Sequence, residues 1–162
     1  MRLSQKQAVT GIIMDGILKL PPACQPPASI KLKGIKVLLQ LEQLNRKLNS
    51  AVVQVNNYLQ KDGYSCIFLK GQGIALNYPY PLHRMPGDID VWPDAEPDEI
   101  LSYTHRIFPQ DKWDTHHAHL PILKETEVEL HFRPSFMFSP HTTYSGAYPF
   151  TFQQLIKHKN SL

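Results

Sequence analysis

The sequence predicts an α/β fold of the α+β kind: a mixed β-sheet with flanking helices and an N-terminal helical segment. Three observations lead there. Apolar residues from Leu38 to Leu59 recur in steps of three and four, the spacing of one helix face. Residues 64–70 and 88–92 are short apolar runs bounded by turn residues, as buried strands are. Residues 113–132 alternate on either side of Lys124-Glu125-Thr126, the pattern of an antiparallel hairpin.

Taken in order, residues 4–20 place Ala8, Ile12, Ile13, Ile17 and Leu20 at helical spacing. Pro21-Pro22 stops this helix, because proline lacks an N–H and disfavours helix in the residue before it. PPACQPPAS then reads as a linker. A second helix follows from about Ile30, with Leu38, Leu41, Leu44, Leu48, Val52, Val55 and Leu59 on one stripe over about seven turns, and Asp62-Gly63 as its stop. Charges at coiled-coil flanking positions are sparse, so the stripe is read as a face packed on the core.

YSCIFLK, residues 64–70, is a buried strand, and Gly71 to Asn77 a short helix ended by Tyr78-Pro79 and the Pro81 loop. Asp88 to Trp92 forms the next strand. Pro93 to Pro97 turns the chain, and Pro97, Asp98 and Glu99 suit the first turn of a helix reaching about Phe108. Beyond Arg133 periodicity is poor, and a last helix is expected at 151–158. The domain reading is a helical segment at 1–62, packed on the core, and a sheet-bearing domain at 63–162.

With 162 residues, 42% hydrophobic and 19% charged, the chain can bury one domain's core and does not have a disordered composition. The net charge of +3 is spread along the sequence, without the basic block of a nucleic-acid arm. Cys24 and Cys66 form no CxxC pair, which argues against a disulfide framework. Asp15 interrupts the N-terminal apolar residues and nothing approaches the length of a membrane span, so cytoplasmic placement is expected.

Side chains on a strand alternate between faces, so Asp88 and Asp90 share one side while Ile89 and Val91 turn to the core. Two carboxylates that close repel unless a cation or proton intervenes. Magnesium favours oxygen ligands, commonly one or two carboxylates plus substrate phosphates. Glu129, between Val128 and Leu130, is a third carboxylate embedded in an apolar run. Gly71 follows a strand and opens a helix, where backbone N–H groups can approach phosphate. Lys70 and Arg84 bring positive charge, and His131, sharing a face with Glu129, could contact phosphate or orient a carboxylate.

Lys70-Gly71, Tyr78-Pro79, Arg84, Gly87-Asp88-Ile89-Asp90 and Val128-Glu129-Leu130-His131 together resemble the uncharacterised nucleotidyltransferase family of the DNA polymerase β-type nucleotidyltransferase superfamily, over about residues 64–133. The resemblance implies a nucleotidyltransferase-like sheet, with Asp88, Asp90 and Glu129 as catalytic carboxylates and ligands of Mg²⁺, or Mn²⁺ in its place. It implies that Gly71 supports the triphosphate, with Lys70, Arg84 and His131 also contacting the nucleotide. The reaction would move an NMP group from an NTP, ATP being the expected one, to a hydroxyl acceptor the sequence does not identify. Gln72 departs from the usual Ser or Gly, the span from Gly73 to Arg84 is longer than usual, and the family generally continues further past the third carboxylate.

Other readings stand beside this one. A catalytically degenerate, antitoxin-like binding or regulatory module would use the same fold. His116, His117, His119 and His131 suggest zinc, with His117 and His119 on one strand face and His116 on the other, although HExxH and a Cys pair are absent. Tyr78, Tyr80 and Trp92 could stack on a base or simply pack.

Overall fold

The computed structural model describes residues 2–109, 114 and 116–133. The mixed α/β fold is observed: α1 (Arg2–Lys6), α2 (Thr10–Lys19), α3 (Ala28–Lys61), β1 (Cys66–Phe68), α4 (Lys70–Ala75), β2 (Ile89–Pro93), α5 (Pro97–Ile107), β3 (His117–His119) and β4 (Val128–His131). Short 3-10 turns at Pro22–Cys24 and Pro81–His83 complete the described elements.

The helix expected over residues 4–20 is two helices. Ala8 takes φ 55°, and the Ala8 and Val9 amides donate back to the Gln5 and Ser4 carbonyls. Those bonds form a Schellman end, which normally carries glycine at the left-handed residue. Periodicity missed it because Ala8 has no turn signature.

α3 runs for 34 residues, about 51 Å at 1.5 Å per residue, beginning directly after Pro27. It stops as expected: Gly63 adopts φ 93°, and the Gly63 and Tyr64 amides close onto Gln60 and Leu59. Its buried face is Gly34, Leu38, Leu41, Asn45, Leu48, Ala51, Val55 and Leu59. Leu44, expected on the stripe, is 49% exposed. Asn45 turns inward instead because its amide has backbone carbonyls to satisfy there.

The sheet order is β1-β2-β4-β3, antiparallel at both outer pairs and parallel between β2 and β4. The expected hairpin is thus present, with β3 and β4 as its strands. Ile89, Val91, Val128 and Leu130 put one sheet face against Leu48, Val55 and Leu59 of α3 and Ile100 and Tyr103 of α5. This single cluster draws residues from both sides of Gly63. α5 begins with Pro97, Asp98 and Glu99 as expected, and Tyr103 Oη donates to Asp62 at 2.6 Å, tying α5 to the end of α3.

Among the described residues no helix is long and apolar enough to cross a membrane, and Cys24 and Cys66 are free thiols. The helix expected at 151–158 lies outside the described residues.

Candidate active site

The face opposite the core carries the polar residues, and sheet register decides which of them meet. The parallel pairing sets Asp90 opposite Glu129, and the antiparallel pairing sets His117 opposite His131 and His119 opposite Glu129. Residues directly across a ladder share a face. The alternation that buries Ile89, Val91, Val128 and Leu130 therefore collects two carboxylates and three imidazoles on the other side.

Asp90 is the centre of this group, 2% exposed. Its Oδ1 lies 2.9 Å from His131 Nε2 and 2.7 Å from the Lys70 ammonium. Burial alone would raise the Asp90 pKa, but hydrogen bonds from His131 and Lys70 outweigh it and hold the carboxyl at about 2. The Lys70 pKa rises in return, chiefly through its hydrogen bond to Asp90. Lys70 reaches the carboxylate from the first residue of α4, where its φ is 41°. Left-handed backbone is unusual for a residue with a side chain.

Glu129 sits in a different field. Burial, then the charges of Asp88 and Asp90, push its pKa up. Its Oε2 is 3.4 Å from His131 Nε2 and its Oε1 is 3.5 Å from His117 Nε2. Asp90, Glu129 and His131 bring ligand-capable atoms within 4.8 Å of one another. Asp88 stands outside that group, exposed just before β2, although its charge reaches both Glu129 and Lys70.

Gly71 is buried at a kink in α4, and a Cβ there would come 3.4 Å from the Asp88 carbonyl oxygen. The β1–α4 turn and the approach to β2 therefore run close together. Gln72 turns to α3 and donates to Asn49 Oδ1. Arg84 donates to the Met85 carbonyl at 3.0 Å; among the described residues no ion pair joins it to the carboxylates. Tyr80 stacks on His83 with ring centroids 5.3 Å apart, while the Lys19 ammonium lies 5.2 Å from the Tyr80 ring centre.

Sequence reasoning missed the anchor of the loop that delivers Asp88. The Asn45 amide donates to the carbonyls of Leu41, Leu82 and Arg84 at 3.1, 2.9 and 2.7 Å. His83 lies between Asp15 of α2, at 2.6 Å, and Glu42 of α3, at 3.2 Å. A Cβ on Gly11 would fall 1.9 Å from the His83 carbonyl oxygen, so α2 packs directly on this loop. One signal was available: a polar Asn45 at the inward spacing between Leu41 and Leu48.

The remaining histidines extend the polar face. His116, expected on the other face, joins the cluster: its Nε2 is 3.1 Å from His117 Nδ1 and its ring 5.4 Å from that of His131. It occupies the bend before β3, where strand alternation does not yet apply. Burial, then neighbouring imidazoles, push the pKa values of His116 and His117 down. His119 Nδ1 lies 2.7 Å from Glu127 Oε1.

Compared with known proteins, residues 1–158 match the family model described as "Uncharacterised nucleotidyltransferase". No curated protein and no solved structure matches the chain.

Proposed function

As the chain belongs to the uncharacterised nucleotidyltransferase family, we propose that it transfers an NMP group from an NTP, with ATP the expected donor, to a hydroxyl acceptor. The observation that carries this reading is the parallel register pairing Asp90 with Glu129. It concentrates anionic oxygen opposite the core, with Asp88 close enough to act on Glu129.

The donor set suits a hard dication. Asp90 and Glu129 present carboxylate oxygens, the ligands magnesium and manganese favour, and repulsion among the three carboxylates is the kind a cation relieves. Asp88, Asp90 and Glu129 would hold Mg²⁺, or Mn²⁺ in its place, which when bound neutralises triphosphate oxygens and acidifies an acceptor hydroxyl.

The chain's own groups take defined parts. His131 and Lys70 keep Asp90 ionised far below neutral pH, so its charge is always presented. The Lys70 side chain is 57% exposed and can exchange Asp90 for a phosphate oxygen, while Gly71, buried against the Asp88 carbonyl, supports the triphosphate in this reading by setting the turn that presents Lys70. Arg84 is the remaining nucleotide contact in this reading; His131, expected to be one, is 0% exposed with its ring nitrogens beside Asp90 and the Arg133 carbonyl, so it orients Asp90 instead. In this reading Glu129 accepts the hydroxyl proton. The acceptor oxygen then bonds to the α-phosphorus as the bond from that phosphorus to the β-bridging oxygen breaks, and pyrophosphate leaves with the bonding pair.

The test is the melting temperature of the purified chain with ATP, GTP, CTP or UTP, each with and without Mg²⁺. At one hundred times Kd, a ligand specific to the folded state adds about 2.7 kcal/mol, roughly 5–10 °C for a chain of this size. The rise should require Mg²⁺ and vanish in the Asp88→Ala/Asp90→Ala double variant, each protein read against its own ligand-free baseline. If no nucleotide shifts the native chain, the transferase reading falls and a binding or regulatory module takes its place.

A further inference from the structure

The carboxylate site does not use His117 and His119, yet their arrangement is ordered. They are two residues apart on β3 and share the polar face of the sheet, where His119 pairs in register with Glu129. Ligand-capable atoms of His117, His119 and Glu129 all lie within 4.8 Å of one another. We propose that these three residues form a second cation site, for a transition dication of the zinc class, beside the oxygen-donor site and sharing Glu129 with it.

Two imidazoles and a carboxylate are a donor set zinc uses when a fourth position stays open. Tetrahedral Zn²⁺ with ligands at about 2.0–2.1 Å spaces the ligand atoms about 3.3 Å apart. The 3.5 Å between His117 Nε2 and Glu129 Oε1 is already near that value.

The surrounding hydrogen bonds set the imidazoles up for this role. A metal-binding histidine usually gives its other N–H to a carboxylate or similar acceptor, which fixes its tautomer and ring orientation. His119 Nδ1 is held by Glu127 Oε1 at 2.7 Å, leaving Nε2 with the lone pair. His117 Nδ1 is 3.1 Å from His116 Nε2, so His116 can accept that proton while His117 Nε2 faces Glu129. Glu129 can serve both sites because its oxygens diverge: Oε2 lies toward His131 and Asp90, Oε1 toward His117. Nitrogen ligands separate the two sites chemically, since imidazole suits zinc, copper, iron and nickel, whereas oxygen-only sets suit magnesium and manganese.

Cobalt(II) reports the site directly, because tetrahedral cobalt absorbs visible light far more strongly than octahedral cobalt. The chelator-treated full chain is titrated with Co²⁺ in excess Mg²⁺, and Zn²⁺ is then added to displace it. The expected result is an intense band saturating at one equivalent and abolished by Zn²⁺. It should survive Asp88→Ala, be lost in His119→Ala, and need about 10–100-fold more cobalt in Glu127→Gln, the typical effect of losing an outer-shell partner. His119 and Glu127 side chains are 33% and 61% exposed, and circular dichroism checks that both variants fold. Absence of a saturable intense band, or a band unchanged in folded His119→Ala, overturns the proposal. So does a band abolished by Asp88→Ala, which would place the cobalt at the carboxylates.

Discussion

At the scale of a residue, Asp90 shows how position overrides intrinsic chemistry. A carboxyl 2% exposed is costly to ionise, but His131 and Lys70 reverse the balance and hold its pKa at about 2. A carboxyl with a folded-state pKa depressed below its unfolded value near 3.9 adds stability above that value and loses it as pH falls through the folded pKa. The contribution is on the order of 2 kcal/mol and should disappear between about pH 4 and pH 2. Urea unfolding of the native chain and Asp90→Asn across this window isolates it, since other titrating groups act nearly alike in both proteins. A stability gap that stays constant down to pH 2 would contradict the ionised, doubly bonded Asp90. The two strand faces were legible in the sequence here; the His131 and Lys70 contacts were not, because they depend on residues 41 and 20 positions away.

At the scale of an element, α2 contains two glycines of opposite meaning. A Cβ on Gly11 would fall 1.9 Å from the His83 carbonyl oxygen, whereas one on Gly16 meets nothing within 4 Å. Gly11→Ala should therefore force α2 away from the Pro81–His83 turn, at about 1–3 kcal/mol, the usual range for overpacking. Gly16→Ala should stabilise by about 0.5–1 kcal/mol, because glycine inside a helix costs conformational entropy. Denaturant midpoints of the two variants would settle it, and equal effects in both would remove the close contact that seats the loop before Asp88. Sequence alone treats these glycines alike, since both interrupt the same helix and only the neighbour across the fold separates them.

At the scale of the whole molecule, α3 and the sheet share one core. Val55 and Leu59 are 0% exposed and meet Ile89, Val91, Val128 and Leu130. Leu59→Ala should cost about 2–5 kcal/mol through lost burial and the cavity left behind. Helix and sheet should be lost together, so far-UV circular dichroism and tryptophan fluorescence, to which Trp92 of β2 contributes, would follow one lowered transition. Two separated transitions would show that the long helix and the sheet fold as independent units.

The sequence by itself determined the local features: the strands, the stop at Asp62-Gly63, the hairpin within residues 113–132, and the alternation that sets Asp90 and Glu129 away from the core. Each is decided by neighbours along the chain, through side-chain period and turn chemistry. Only the tertiary structure decided that β2 lies parallel to β4 with Asp90 opposite Glu129, that His116 joins the other histidines, and that Asn45 and His83 anchor the loop leading to Asp88. Strand pairing between distant segments follows from burying both apolar faces against α3 and α5, which is a property of the assembled core. Contacts made by the resulting polar surface depend on that assembly and leave little trace in local sequence.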